Sequence, residues 1–428
     1  MLGLKEAMQP LSDGGLTVDS QTIARIKSGM AYEKDRDGPP PGFPAFPPIP
    51  SARYVDEDFN TLEMDRMWKR SWVYACHASE LPDRGSFILW RKLGSPIVIV
   101  RGKDDTIRAF YNTCRHRGAP LVKEDSGKLN RFVCGYHAWT YSLDGDLVGL
   151  RDERDFPDFD RSCHNLIQVS CESFGNWVFV NCDPEAEPLM DYLGPVADEM
   201  AEFQPDKIRL AHKAEYEIPC NVKVLLDAFL ETYHLKSIHQ KTVDRFLDHM
   251  GTTIELWAKG HSRMVTPNRR PEWKDPGVAG LPEIDTVGEI ARDSNVSYNI
   301  YPNIVCPPSP TGMPFIIFWP KSVNSMTLEC IWFSPDWGDG PLPDIWKARL
   351  DNFERILEED TQFAPQIQAS VESDGFRGIP LSYQERRIYH WHEELDRRIG
   401  ADHAREGVSV ELLLEPYVTK PGMSSAAE

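Results

Sequence analysis

The sequence predicts an α+β protein, a small antiparallel β domain followed by a larger α+β domain. Three observations point there. Residues 51–185 carry short β-branched and aromatic runs separated by turn signals. Residues 186–428 mix similar runs with long stretches of helical periodicity. At 428 residues the chain is longer than one hydrophobic core usually organises, so two domains are expected.

Residues 1–50 read as an arm. It ends in the proline-rich run from Gly38 to Pro50, which suits neither helix nor central strand. Two uses fit it: an extended linker, or an arm packed on a neighbouring subunit that hides Phe43 and Phe46. In residues 51–185 a short helix from Asp58 to Trp68 comes first. Strands follow at Phe87–Trp90, Pro96–Val100, Ile107–Tyr111, Phe132–Val133 and Asn176–Asn181. Turns at Asp144-Gly145 and Gly102 to Asp105 separate them. In residues 186–428, strands are expected at His212–Ile218, Ser297–Tyr301, Phe315–Trp319 and Met326–Phe333. Helices are expected from Val222 to Ile238 and from Pro343 to about Ser373. Gly260 to Pro282 is charged, rich in Gly and Pro and poorly periodic, and reads as a long loop at an entrance.

Composition limits the function. A 41% hydrophobic and 11% aromatic content describes an ordinary globular core. The net charge of −19 argues against nucleic acid or an anionic membrane as partner. No apolar run reaches the roughly 18 residues of a membrane span, and Met1 to Met30 lacks the apolar stretch of a secretory signal. Nine Cys are too few for a disulfide scaffold in a chain this long. Cys76, Cys163, Cys171, Cys182, Cys220, Cys306 and Cys330 read as small buried hydrophobes. A reducing cytoplasm is the expected location.

Two clusters carry the strongest chemical signal. Cys114-Arg-His116 and Cys134-Gly-Tyr-His137 each offer one thiolate and one imidazole, with 17 residues between them. Zinc fingers usually pair Cys with Cys and His with His. Two loops that each give one Cys and one His suit a two-iron cluster better, with thiolates on one iron and imidazoles on the other. A zinc site is the alternative. The stretch from Asn112 to Pro120, and from Cys134 to Gly145 with Trp139 inside it, resembles the Rieske iron–sulfur domain of aromatic-ring hydroxylating oxygenases. Gly118, Pro120, Gly135 and Gly145 suit loops that wrap a cluster closely. The resemblance implies a [2Fe-2S] cluster on Cys114, His116, Cys134 and His137.

A second constellation lies in the run from Asn221 to His239. Treated as a helix, it places Val222, Leu226, Phe229 and Tyr233 on a core face. Asp227, Glu231 and His234 lie together beside that face. His239 would sit about 140° around an ideal helix from His234, so both can bind one metal only if the helix ends or bulges between them. This run resembles the catalytic-domain motif of the same oxygenases, in which both His bind a mononuclear Fe(II). The fold implied for that domain is helix-grip-like. A third ligand is needed for a two-His-one-carboxylate site. In the later helix, Leu350, Phe353, Ile356, Leu357, Phe363, Ala364 and Ile367 mark the buried face. Of Glu358, Glu359 and Asp360, only Asp360 falls on it, and the family pattern places its carboxylate ligand in such a helix.

Glu231 stands where the family usually has Asp. The resemblance implies that it hydrogen-bonds His137 of the next subunit, carrying electrons across a head-to-tail ring, most often a trimer. A capping role is the other reading. Glu at this position also occurs in relatives that act on non-ring substrates. Asp227 either orients an iron-bound His or is solvated. Gln368 lies either near the iron or at the core edge, and Arg115 either pairs across the interface or is an ordinary surface residue.

The implied enzyme is the large subunit of a Rieske-type oxygenase. It would use O2 to attack an aromatic or hydrophobic small molecule, with monooxygenation or demethylation of a non-ring carbon as the alternative. No G-x-G-x-x-G follows a strand, so NAD(P)H is expected to act only through a separate reductase, with or without a ferredoxin. A small β subunit is a further possible partner. The helix after His239 and the strands near Asn299 to Pro302, Phe315 to Trp319 and Ile331 to Phe333 are candidate pocket walls, with sheet core the other reading of those strands. Arg263, Arg269 and Arg270 read as a solvated loop rather than a carboxylate clamp. Two rivals remain: an electron carrier using only the cluster, and a zinc-stabilised binding protein.

Overall fold

The computed structural model describes residues 18–270, 278, 280–403 and 405–419. Runs of antiparallel strands are followed by runs of helices along the chain, as the α+β expectation requires.

The first half is built on a seven-stranded sheet. Its order is Val73–His77, Trp177–Asn181, Gln168–Phe174, Ile107–Tyr111, Ile97–Arg101, Ser86–Trp90 and Ser126–Lys128, all antiparallel. A three-stranded sheet of Phe132–Val133, Thr140–Tyr141 and Leu147–Gly149 lies beside it. Phe110, Phe132, Trp139, Tyr141 and Leu143 close a small core of their own there, with Cys114 and Cys134 inside it.

The second half is organised by an eight-stranded sheet. Its order is Arg209–Ile218, Ser325–Ser334, Met313–Ser322, Ile304–Cys306, Ser294–Ile300, Ser262–Pro267, Thr253–Trp257 and Val418–Thr419. Only the last pair is parallel. The helix Arg386–Ile399 is buried against this sheet: Trp391 Nε1 donates to Pro302 O, His390 Nε2 to Trp257 O and Arg387 Nε to Ser262 Oγ. An antiparallel sheet packed on one long buried helix agrees with the helix-grip-like expectation. Aromatic contacts knit the two halves, with Trp90 edge-on to Trp319 and Tyr74 edge-on to Phe315.

Several expectations need correction. The Gly260–Pro282 segment is not all loop. Ser262–Pro267 is a buried strand, paired on both edges, and the loop reading also covers residues outside those described. Arg263 is therefore not solvated. It is 3% exposed and paired with Glu199 and Glu255. Arg269 pairs with Asp244 at 2.9 Å. The arm contains a helix, Ser20–Asp35, and Phe43 and Phe46 are covered within the chain itself. Phe46 stacks on Tyr389 at 4.4 Å and Phe43 meets Tyr383 edge-on at 4.7 Å. The late helix divides into Ile345–Thr361 and Ala364–Val371, because Pro365 opens a new first turn. That break turns Phe363 and Ile367 outward. Cys163 is exposed, and Cys171 and Cys182 are only half-buried.

Candidate metal centres

The two cysteine–histidine loops repeat one backbone design. Cys114 N–H donates to Ala119 O, and Gly118 N–H donates back to Cys114 O. Cys134 N–H donates to Trp139 O, and Ala138 N–H donates back to Cys134 O. In both loops the residue four past the Cys has positive φ, +73° at Gly118 and +58° at Ala138. Gly adopts that conformation freely; Ala is held there by the closed turn. The loops thus carry all four side chains to one place. The His116 and His137 ring centroids are 4.6 Å apart, and His116 stacks on Trp139 at 4.8 Å.

The donors fit a cluster. The Nδ1 atoms of both His116 and His137 are buried and have no hydrogen-bond partner. Buried ring nitrogens are normally satisfied, so two orphans on the same loops as the buried thiols of Cys114 and Cys134 call for a metal group. Tyr141 Oη lies 3.3 Å from Cys114 Sγ and also accepts the Arg115 N–H. Burial, then the neighbouring His137, pushes the His116 pKa down, which keeps the ring neutral as a metal ligand requires.

The second centre forms where a helix breaks. The stretch expected as one helix ends at Phe229 and restarts as the short Leu235–Ile238 turn. Tyr233 therefore leaves the core and is 70% exposed. The break lets His234 and His239 face the same point. His239 Nε2 lies 2.9 Å from Asp360 Oδ1, and His234 Nε2 lies 3.6 Å from the same atom. One donor atom of each of the three residues falls within 4.8 Å of the others.

Each imidazole is held on its far side. Glu231 Oε1 meets His234 Nδ1 at 2.5 Å, while its Oε2 accepts the Tyr233 and His234 backbone N–H groups. Within this chain Glu231 thus turns to its own His234. Glu359 Oε2 meets His239 Nδ1 at 2.7 Å and accepts from Thr242 Oγ1 at 2.6 Å. Burial pushes both imidazole pKa values down, but the carboxylates around them outweigh it and both are raised. Three carboxylates around two imidazoles, with both Nε2 edges converging on Asp360, is a donor set that suits a divalent cation. Glu359 was not singled out from the sequence. Its only signal was its place beside Asp360 on an acidic turn.

Asp227 is neither solvated nor in contact with these histidines. It is buried, and Tyr54 Oη donates to its Oδ2 at 2.6 Å. His392 Nε2 lies 3.1 Å from Tyr54 Oη. Gln368 is also occupied away from the centre: its Oε1 accepts from Asn221 N and its Nε2 donates to Glu372. It caps the start of the Val222–Phe229 helix.

A cavity of about 540 Å³ opens beside His234 and Asp360. Phe229, Leu235, Phe246, Ile316, Trp332 and Phe353 are among its apolar walls. Of the expected wall strands, Phe315–Trp319 and Ile331–Phe333 contribute Ile316 and Trp332, while Asn299 to Pro302 does not line it.

Two family models match the chain. The Rieske [2Fe-2S] domain matches residues 71–160, and the ring hydroxylating alpha subunit catalytic domain matches residues 205–401. The chain belongs to the Rieske oxygenase alpha-subunit family. Members of this family pair a [2Fe-2S] domain with a mononuclear-iron catalytic domain. This Rieske oxygenase chain is 34% identical over 193 residues to the carnitine monooxygenase oxygenase subunit of Escherichia coli strain K12, covering 45% of this chain and 52% of that one. It is 34% identical over 194 residues to the biphenyl dioxygenase alpha subunit of Paraburkholderia xenovorans, 42% of each. The chain spans about half the length of these relatives in the matched region. The fold of a quaternary ammonium Rieske monooxygenase bound to L-carnitine superposes with a TM-score of 0.68 at 23% identity, covering 85% of this chain and all of that one. Among the described residues, no helix of the Rieske oxygenase chain is long and apolar enough to cross a membrane.

Proposed function

We propose that this chain is the oxygenase component of a multi-part system and inserts oxygen from O2 into a small organic molecule. The observation that carries this is the meeting of His234, His239 and Asp360 at the wall of a cavity. In this reading residues 51–185 hold the [2Fe-2S] cluster on Cys114, His116, Cys134 and His137. Residues 186–428 hold iron on His234, His239 and Asp360.

Iron held by that triad would supply the oxygen chemistry, with the cluster as its source of electrons. The chain provides the rest. Glu231 and Glu359 hold the two rings by their Nδ1 edges, so both Nε2 edges stay turned to Asp360. Phe229, Phe246, Trp332 and Phe353 seat an aromatic or hydrophobic body and keep water out. Glu231 is also the group that would meet His137 of a neighbouring copy in a head-to-tail trimer. A reductase, with or without a ferredoxin, delivers electrons from NAD(P)H, and a β subunit is a further partner of this reading. Asp227, held by Tyr54 and beside His392, anchors the helix that leads to Glu231.

A second reading is favoured by Glu231 itself, which replaces the usual Asp. Monooxygenation or demethylation of a non-ring carbon fits it, and the carnitine monooxygenase similarity supports that reading. Labelled O2 separates the two: two labelled atoms in the product mean dihydroxylation, one means monooxygenation.

The test of the whole proposal is metal and sulfide analysis with EPR on dithionite-reduced, anaerobically purified protein. About three irons and two sulfides per chain, with a low-average-g signal, are expected. Two irons with none recovered on adding ferrous iron would leave an electron carrier. Zinc without the signal would sink the oxygenase reading.

A further inference from the structure

The cavity wall beside the candidate iron centre is not uniformly apolar. Strand pairing puts Met264 opposite Ser297 and Thr266 opposite Asn295, and all four line the cavity. Residues two apart on a strand share a face, so Ser297 and Asn295 point the same way. Asn268, just past the neighbouring strand, lines the same cavity. Thr266 shares its hydroxyl with Thr252 at 3.1 Å. The side chains of Ser297, Asn295 and Asn268 make no hydrogen bond among the described residues, although Ser297 is only 5% exposed. Asn295 and Asn268 are half-buried, so all three side chains keep hydrogen-bonding capacity to offer a ligand in the cavity they line.

The end nearer the candidate ligands is different. Leu235 follows His234, and Ile356 precedes Asp360 by one helical turn. Apolar groups therefore surround the place where chemistry would occur.

Charge narrows the ligand further. Glu231, Glu283, Asp293 and Asp360 line the cavity against Arg292 and Arg349. Arg292 is closed onto Glu283 at 2.6 Å, and Arg349 donates to Thr311 O and Ser309 Oγ. An anionic substrate would face an excess of carboxylates. A quaternary ammonium neither donates nor accepts hydrogen bonds and would leave the Ser297 wall unsatisfied. A hydrocarbon would do the same.

We propose that the substrate is an apolar or aromatic molecule bearing a neutral hydrogen-bonding group, such as a carbonyl, hydroxyl, amide or ether, which seats on Ser297, Asn295 and Asn268. This rests on the oxygenase reading of the same cavity. The polar group sets orientation, and the apolar part is directed toward His234 and Asp360. Ser297 and Asn295 are then the residues that determine specificity.

Four probes of similar size test this by anaerobic calorimetry on cluster- and iron-loaded protein: acetophenone, ethylbenzene, phenyltrimethylammonium and benzoate. Acetophenone should bind about 100-fold or more tightly than ethylbenzene, because a site built for hydrogen bonding rejects the analogue that lacks them. Ser297→Ala and Asn295→Leu, made separately, should each remove most of that preference. Absent acetophenone binding, equal or tighter binding of any other probe, or a preference untouched by both variants would overturn the proposal. Iron content of the same sample reports on the oxygenase assignment separately. Selectivity without bound iron would sink that assignment and leave the wall standing.

Discussion

Glu359 holds the Nδ1 edge of His239 at 2.7 Å, while its sequence neighbour Asp360 meets the Nε2 edge at 2.9 Å. Adjacent residues on one helix therefore grip opposite sides of a single ring. Thr242 fixes Glu359 in turn, and the hydrogen bonds it receives from Thr242 and His239 outweigh burial and lower its carboxyl pKa. Glu359→Gln should weaken Fe(II) binding at the mononuclear centre about 10- to 100-fold. Ferrous titration measures this directly, with the cluster's EPR signal unchanged as the internal control.

Asp360→Ala should separate the two centres cleanly. Iron should fall from about three to about two per chain, with sulfide unchanged. A variant that also loses its sulfide would show that the catalytic half supports the cluster half structurally.

Lys223 and Glu63 form an ion pair at 2.7 Å with side chains 0% and 1% exposed. Lys223 lies in the first turn of the helix that leads to Glu231 and His234. Lys223→Met should destabilise the protein by about 3–5 kcal/mol, because it strands a buried carboxylate. Adding Glu63→Leu should recover most of that loss. Denaturant titration of the three variants measures both effects.

His261 accepts the Tyr301 N–H on Nδ1 and donates from Nε2 to Tyr192 O, so both nitrogens are occupied in the neutral ring. Burial pushes its pKa down to about 3, and that of His390 down to about 4. The unfolded chain takes up these protons near pH 6.5, and the folded chain does not. Their contribution is intact above that pH and is lost as pH falls from about 6.5 toward 4 and then 3. Each should steepen the stability loss by about 1.4 kcal/mol per pH unit in that window. Comparing His261→Gln with the parent between pH 6 and 5 should show a slope shallower by that amount.

Much of this molecule was legible in the sequence, and the reasons are local. The β-branched run Ile97–Arg101 is legible because burial on both faces leaves little room for other residue types, whereas Ile107–Tyr111 is only partly buried and shows through its aromatic end. Asp360 was readable because a carboxylate on an apolar helix face needs a partner. An unbroken 3.6-residue period puts Tyr233 on the core face, but the helix stops at Phe229 and frees it. Glu359 gives no local signal, because its partner is 120 residues away. Asp227 was undecided for the same reason: Tyr54 and His392 reach it from opposite ends of the chain. The strand at Ser262–Pro267 was hidden by neighbouring Gly and Pro, and its charged Arg263 looked solvated until Glu199 and Glu255 came to meet it.

The interruption between Phe229 and Leu235 sets stability against function at this site. Residues that favour helix through Leu230 to His234 would extend a well-packed element and raise its intrinsic stability. The same change would swing His239 away from His234 and dissolve the meeting point at Asp360. A screen that selects only for thermal tolerance would therefore accumulate inactive chains with better helices, whereas selection for iron retention would preserve the gap.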